Sequence, residues 1–160
     1  MSMRIGFRKL LSRKCLTTLI FMKVLVIYES TRGRTKAMAE AICEGVIDKG
    51  KNCTVLPAEN FAGLENVCVL AVGSSTRMKR PLPKVRNLLS EIELRNGLAV
   101  FAFGSYGWSG EAPDMIMDAL KERGGIPAIE TPLKVKDQPS EIDLKKCNKI
   151  GGTLSDLCVE

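Results

Sequence analysis

The chain has 160 residues, of which 45% are hydrophobic and 5% aromatic, and its formal net charge is +6. This length and composition indicate one globular domain with an aliphatic core. No acidic residue and five basic residues precede Met22, so the balance from Met22 onward is only +1, which argues against a nucleic-acid-binding surface.

The first part of the chain, residues 1–22, is basic and partly apolar. Its apolar stretch is shorter than the roughly 20 residues of a membrane span, and no small-residue cleavage site follows it. We interpret residues 1–22 as a basic extension, either an arm on a membrane or partner surface or a stretch upstream of a true start at Met22. The folded domain is then expected over residues 23–160.

Three nearly continuous apolar runs of strand length follow, at residues 23–28, 67–73 and 98–103. Continuous runs are typical of strands that are covered on both faces, so these are predicted to be central parallel strands. Two shorter strands are predicted at residues 52–56 and 127–130.

Helical spacing of apolar residues separates the strands. A last helix is predicted over residues 140–157, where Pro139 and Ser140 open it. The apolar positions of the earlier helices are Met38, Ala41, Ile42, Gly45 and Val46, then Val85, Leu88, Leu89 and Ile92, and then Met115, Ile116, Ala119 and Leu120.

The alternation of strands and helices predicts a five-stranded, three-layer α/β/α sandwich with right-handed crossovers. In such sheets the ligand crevice lies at the carboxyl ends of the strands. Functional residues are therefore expected directly after the first, third and fourth strands.

The loop after the first strand, residues 30–35, is called the anion loop here. It reads STRGRT and leads into a helix. Backbone N–H groups at a helix start attract a phosphate, hydroxyls add donors, and Gly33 permits close backbone approach. An ordinary polar helix start would have the same residues. Neither the spacing of a nucleotide triphosphate loop nor that of a dinucleotide fingerprint is present.

Two further loops follow the third and fourth strands. Residues 73–83 follow the third strand, and their part 74–80 is called the basic loop here. This segment combines hydroxyls with Arg77, Lys79 and Arg80, which suits either the rim of a polar ligand site or a solvated turn that starts the next helix at the prolines. Residues 104–111, the aromatic loop, read GSYGWSGE and hold the only Trp of the chain. Glycines with an aromatic pair can lie close to a flat ligand. Together the three loops predict a pocket for a molecule with a phosphate and a planar ring.

These motifs resemble a known family. YESTRGRTKAMAEAI resembles the phosphate loop of flavodoxins, and FGSYGWSGEA with PLKVKDQPSEIDLKKC is similar to the flavodoxin-like domain of A-type flavoproteins, the flavodiiron proteins. The resemblance covers residues 23–157. It implies a flavodoxin-like sheet of strand order 2-1-3-4-5 and the cofactor FMN.

The resemblance also implies which residues bind the cofactor. The phosphate is expected at the anion loop and the isoalloxazine between the basic and aromatic loops. The implied residues are Ser30, Thr31, Arg32, Gly33, Arg34 and Thr35 for the phosphate, and Ser75, Thr76, Arg77, Met78, Ser105, Tyr106, Gly107, Trp108, Ser109 and Gly110 for the ring.

Departures from the family pattern concern charge. Arg32 and Arg34 stand in a loop that commonly ends in Gly-Asn-Thr. The basic loop carries cationic residues where the family normally has small polar or aromatic ones. We expect a positive field there to stabilise the anionic reduced flavin and to raise its potential. It would also favour an acidic redox partner, such as a ferredoxin or a reductase.

The expected function is electron transfer by a bound flavin, without a catalytic side chain. The chain has no histidine and no room for the iron-binding domain of flavodiiron proteins, so their reductase chemistry is not expected here. The alternatives are an FMN-dependent NAD(P)H:quinone or flavin reductase, which could be a homo-oligomer, and a flavin-less scaffold of the same fold. A receiver domain is disfavoured because Gly73 and Ser74 stand where its phosphoacceptor Asp would be.

The six cysteines show no CxxC and no regular spacing, so neither a zinc site nor a disulfide framework is predicted. Cys43, Cys53 and Cys68 are expected to be small buried apolar residues. Unpaired cysteines would fit a reducing cytoplasm.

Overall fold

The computed structural model describes residues 22–159. The interpretation of residues 1–22 as an extension falls almost wholly outside the described residues. Within residues 22–159, no helix is both long enough and apolar enough to span a membrane. The predicted three-layer α/β/α architecture is confirmed.

The main sheet is parallel and follows the flavodoxin-like order. Strand β1 lies between β2 and β3, then β6 follows, and the edge position is shared by β7 and β8, which both pair with β6. A separate two-stranded hairpin joins β4 to β5. The strands are β1 (Lys23–Glu29), β2 (Asn52–Pro57), β3 (Val67–Ser74), β4 (Thr76–Arg77), β5 (Arg80–Pro81), β6 (Ala99–Tyr106), β7 (Ile126–Pro127) and β8 (Leu133–Lys136).

The helices cover both faces of the sheet. Because successive strand side chains point to opposite faces, β1 directs Val24 and Val26 to one core and Leu25 and Ile27 to the other. Helices α1 and α4 close the first core, and α2 and α3 close the second. The helices are α1 (Arg34–Asp48), α2 (Pro83–Glu91), α3 (Ala112–Glu122) and α4 (Glu141–Ser155).

The last helix starts through a capping box. The Ser140 hydroxyl accepts the Asp143 N–H at 3.1 Å, and the Ser140 N–H donates to the Asp143 carboxylate at 2.9 Å. The predicted range of 140–157 was therefore correct in place but slightly too long, since Ser140 is the cap and the helix ends at Ser155.

The predicted fifth strand, at 127–130, is wrong in its bounds. It is split into β7 at Ile126–Pro127 and β8 at Leu133–Lys136, with residues 128–132 outside either strand. Pro127 and Pro132 flank the break, and a proline lacks the N–H that a sheet ladder needs. As a result β8, and not β7, pairs with the end of β6 at Ser105 and Tyr106, two of the predicted site residues.

The expectation of unpaired cysteines is also wrong. Cys43 on α1 forms a disulfide with Cys53 on β2, and Cys68 at the start of β3 forms one with Cys158, with Cα atoms 5.6 and 5.3 Å apart. The pairs are made by the packing of α1 on β2 and of the C-terminal segment on β3, which spacing along the chain does not reveal. Cys147 is free and buried, and burial raises the pKa of its thiol to about 12.

We expect the Cys43–Cys53 bond to stabilise the domain. Removing it as Cys43→Ser with Cys53→Ser should lower the free energy of unfolding by about 2 to 3 kcal/mol, since a loop of this length constrains the unfolded chain. Urea unfolding without and with a reducing agent measures this. The difference from the unmodified chain should vanish under reduction; equal midpoints under oxidising conditions would contradict the prediction.

Candidate functional site

Three loops meet at the carboxyl edge of the sheet, as the strand order requires. They enclose an open cleft of about 430 Å³, a volume within the range of cofactor sites. Its lining comes from all three loops: Thr31, Arg32 and Arg34 from the anion loop, Ser75, Thr76, Arg77 and Met78 from the basic loop, and Ser105, Tyr106, Gly107 and Trp108 from the aromatic loop.

The anion loop has the backbone of an anion site. Gly33 caps α1 with φ 81°, a left-handed conformation that glycine adopts without strain, and space for a Cβ is open there. The Ser30 hydroxyl accepts the Gly33 N–H at 2.9 Å. The first N–H groups of α1 have no partner within the helix, and no acidic side chain lies in its first turn. This helix start can therefore accept a negative group.

Thr35 connects the three loops from below the cleft. Its side chain is fully buried, and its hydroxyl lies 3.1 Å from the Ser75 hydroxyl and 2.8 Å from the Ser105 hydroxyl. The backbone N–H of Ser105 also donates to it at 3.4 Å. The Thr35 hydroxyl thus links the anion loop to the other two loops and fixes their relative positions.

The basic loop is a β-hairpin, which the sequence did not predict. Its base is fixed by the buried Ser74, whose hydroxyl accepts the Leu82 N–H at 2.8 Å. The hydroxyl of Thr76 accepts the N–H of Ala112, the first residue of α3, at 3.0 Å. The hairpin is therefore joined to the end of the aromatic loop.

Two large apolar side chains, from two different loops, line the cleft and are exposed. Trp108 is 95% exposed and Met78 is 82% exposed. Both side chains are therefore available for contact with a ligand, and an exposed aromatic ring favours stacking on a planar group. The cleft thus offers two apolar surfaces that a flat ligand can contact.

The rim is cationic. Arg32, Arg77, Lys79 and Arg80 are exposed, and Arg34 is half-buried. Within residues 22–159 none of the five forms an ion pair, because the two pairs found there are Lys84 with Glu59 and Lys134 with Asp114. These charges are free to act on a ligand or a partner.

Five of the predicted site residues do not line the main cleft. Ser30 and Gly33 line a second cleft on the other side of the anion loop, and Thr35 lies beneath the main cleft rather than in its wall. Ser109 and Gly110 are absent from its lining, and a Cβ on Gly110 would lie 3.0 Å from the Tyr106 ring. The other predicted residues line the cleft together.

Glu111 is a residue that sequence reasoning missed. One of its carboxylate oxygens is buried and has no hydrogen-bond partner among the described residues. A hydrogen bond from the Ser109 side chain is the largest cause that lowers the pKa of Glu111, and the charges of Lys79 and Lys134 lower it further. A lone Glu at a helix start carries no sequence signal for such an environment.

The residues present fit a phosphorylated planar cofactor. A helix N-terminus with adjacent arginines suits the phosphate, and the Met78 and Trp108 surfaces suit the ring. A parallel sheet with these loops at its carboxyl edge defines a flavodoxin-like domain.

The chain belongs to the flavodoxin family, which it matches over residues 26–151. It is 36% identical over 139 residues to the putative diflavin flavoprotein A 5 of a Nostoc species, covering 81% of this chain and 24% of that protein. It is 32% identical to the anaerobic nitric oxide reductase flavorubredoxin of Vibrio vulnificus, covering 84% and 29%. It is also similar to the solved structure of a flavodoxin from the domain Archaea, with 35% identity, a TM-score of 0.80, and coverage of 84% and 97%.

The chain spans about a quarter to a third of the length of these two curated relatives. The relatives are redox proteins, and the family binds FMN. The identification of the family from the anion and aromatic loops is thus confirmed.

Proposed function

We propose that this chain binds one FMN in the main cleft and transfers one or two electrons between redox partners. The observation that carries the proposal is the convergence of a helix N-terminus, free cations and an exposed Trp108 on one cleft. The family of the chain supports it.

The residues have separate roles in this proposal. Bound FMN would supply the redox chemistry. The anion loop would bind its phosphate through the N–H groups of α1 and through Arg32 and Arg34, and Met78 and Trp108 would cover the ring and limit the access of water. Thr35 is a positioning residue, because it holds the three loops that make these contacts.

The proposal is tested by anaerobic reduction of the FMN-loaded chain, followed by mixing with a one-electron acceptor. We expect stoichiometric transfer of the stored electrons, and negligible steady-state oxidation of NADH or NADPH by the chain alone. Rapid NAD(P)H oxidation would instead identify a quinone or flavin reductase. A chain that takes up no FMN would be a scaffold of this fold.

The cationic rim favours an acidic partner, such as a ferredoxin or an acidic reductase. We expect the rate of electron transfer with an acidic ferredoxin to fall by about tenfold or more between low salt and about 0.5 M salt, because ions screen the attraction. Stopped-flow kinetics at several salt concentrations measure this. A rate that does not respond to salt would contradict the role of the rim.

The same charges should raise the potential of the bound flavin. Replacement of the exposed Arg77 by glutamine is expected to lower the reduction potential by about 30 mV, because a cation that stabilises the anionic reduced flavin is lost. For a two-electron couple this is about a tenfold change in the equilibrium constant of reduction. A redox titration measures this. Lys121→Gln, on the last turn of α3, is the control and should have no effect; equal shifts in both variants would contradict the assignment to Arg77.

A cytoplasmic location and a homo-oligomer stay predictions. The argument for a reducing compartment depended on unpaired cysteines, and the two disulfides remove that support. Alkylation of thiols in intact cells, followed by mass spectrometry, shows which state Cys43 and Cys68 have where the protein works. Fully alkylated thiols would support the cytoplasm.

A further inference from the structure

Glu111 holds a polar atom that the described residues leave unsatisfied. The buried carboxylate oxygen has no hydrogen-bond donor among residues 22–159, and a buried acceptor without a donor destabilises the state that contains it. A hydrogen bond from Ser109 is the largest cause that lowers the pKa of this carboxyl group, partial burial raises it, and the charges of Lys79 and Lys134 lower it. A cationic donor that reached this oxygen would satisfy it with a charge-assisted hydrogen bond.

The charges of two lysines lower the pKa of Glu111, and only one of these lysines has no ion pair within residues 22–159. The ammonium of Lys134 is already paired with Asp114 on α3. Lys79 has no ion pair within residues 22–159 and is exposed. Lys79 is therefore the candidate donor.

Lys79 lies in a turn whose backbone is strained. It follows Met78 between β4 and β5, and φ is 53° at Met78 and 65° at Lys79. Two consecutive left-handed residues make the two-residue hairpin turn that normally needs Asn or Gly. Such strain persists where the surroundings compensate for it.

The hairpin is already attached beside Glu111 at one point. Thr76 accepts the N–H of Ala112, the residue that follows Glu111. The base of the hairpin is thus fixed to the end of the aromatic loop, whereas no side-chain hydrogen bond joins its tip, Met78 and Lys79, to that loop within residues 22–159. A bond between Lys79 and Glu111 would fix the tip to the same stretch of chain.

We propose that Lys79 and Glu111 form an ion pair when FMN fills the cleft, and that this strap closes the hairpin tip over the bound ring. The strap rests on the proposed function, since its closed state needs the cofactor. Closure would satisfy the buried oxygen of Glu111 and would place Met78 against the ring. Lys79 and Glu111 are positioning residues here, because they act through Met78 and the two loops.

The test is a double-mutant cycle on FMN affinity and on the rate of FMN dissociation, with Lys79→Met, Glu111→Gln and both together. Each single variant should release FMN about tenfold faster, and the double variant should be no faster than either single one, because both remove the same bond. Lys79→Arg should retain most of the affinity. The thermal midpoint of the FMN-free Lys79→Met chain should equal that of the unmodified chain.

A matched control is Arg80→Met, which removes the same charge from the same hairpin. The effect of Arg80→Met on FMN dissociation should add to that of Glu111→Gln, because Arg80 is not part of the strap. This control separates a general loss of positive charge from the loss of the Lys79–Glu111 ion pair. Additive effects of Lys79→Met and Glu111→Gln, or a Lys79→Met chain that binds FMN like the unmodified one, would overturn the strap and leave the proposed function standing. An unmodified chain that binds no FMN would overturn both.

Discussion

Thr35→Val is expected to weaken FMN binding by about 100-fold. Valine keeps the shape of threonine but removes the hydroxyl that joins Ser75 and Ser105. Because Ser105 is 2% exposed, its hydroxyl and its N–H would be left buried without this partner, at a cost of about 1 to 3 kcal/mol each. The loops would then separate, and separated loops cannot contact the phosphate and the ring of one molecule together.

Fluorescence titration of the variant with FMN measures this effect, and the free energy of unfolding should fall in parallel. Thr153→Val is the matched control, since it makes the same chemical change at an exposed position on α4, where the hydroxyl only donates to the Lys149 carbonyl. The control should bind FMN normally. A Thr35→Val chain with unchanged affinity would show that the loops are held by other contacts.

The second large effect concerns the crossing of α1 and α4. Gly45 and Gly151 let the two helices approach so closely that a Cβ on Gly151 would clash with the Ile42 carbonyl, and one on Gly45 with the Asn148 carbonyl. Both obstacles are backbone, which cannot move without separating the helices. We expect Gly151→Ala to lower the free energy of unfolding by about 3 to 5 kcal/mol, at the upper end of the effects of single substitutions.

The neighbouring glycine gives a direct comparison. A Cβ on Gly152 would meet only side-chain carbons of Lys49, the nearest at 3.2 Å, and a long flexible side chain can move aside. Gly152→Ala should therefore change stability by less than about 1 kcal/mol, with a gain from the better helix propensity of alanine. Urea unfolding of the two variants measures the difference. Equal midpoints would contradict the close crossing.

The strands that position the site were predictable because their signal, a run of apolar residues, lies within each strand's own sequence. The runs at residues 23–28, 67–73 and 98–103 are nearly continuous in apolar residues, as is typical of strands covered on both faces, and all three are confirmed as β1, β3 and β6. The carboxyl-edge rule then places the three loops without knowledge of any contact. The prediction of the cleft needed no more than this.

The features that were missed depend on side-chain direction and on distant partners. The hairpin has Met78 and Lys79 at its turn, where the recognisable signal would be Asn-Gly. Thr35 is in the predicted loop, but its hydroxyl points inward, which no spacing along the chain shows. Both disulfides join residues that only the packed fold brings together, and Glu111 is distinguished only by one buried carboxylate oxygen.

The central claim is that the three loops form one flavin site, and the measurement that tests it most directly is the visible absorption spectrum of the purified chain during titration with FMN, with release and identification of the bound flavin. We predict a flavin spectrum that saturates at about one FMN per chain, as a single cleft requires, and FMN binding that is weakened in Thr35→Val. A colourless chain whose spectrum does not respond to FMN would contradict the account and would leave only the fold.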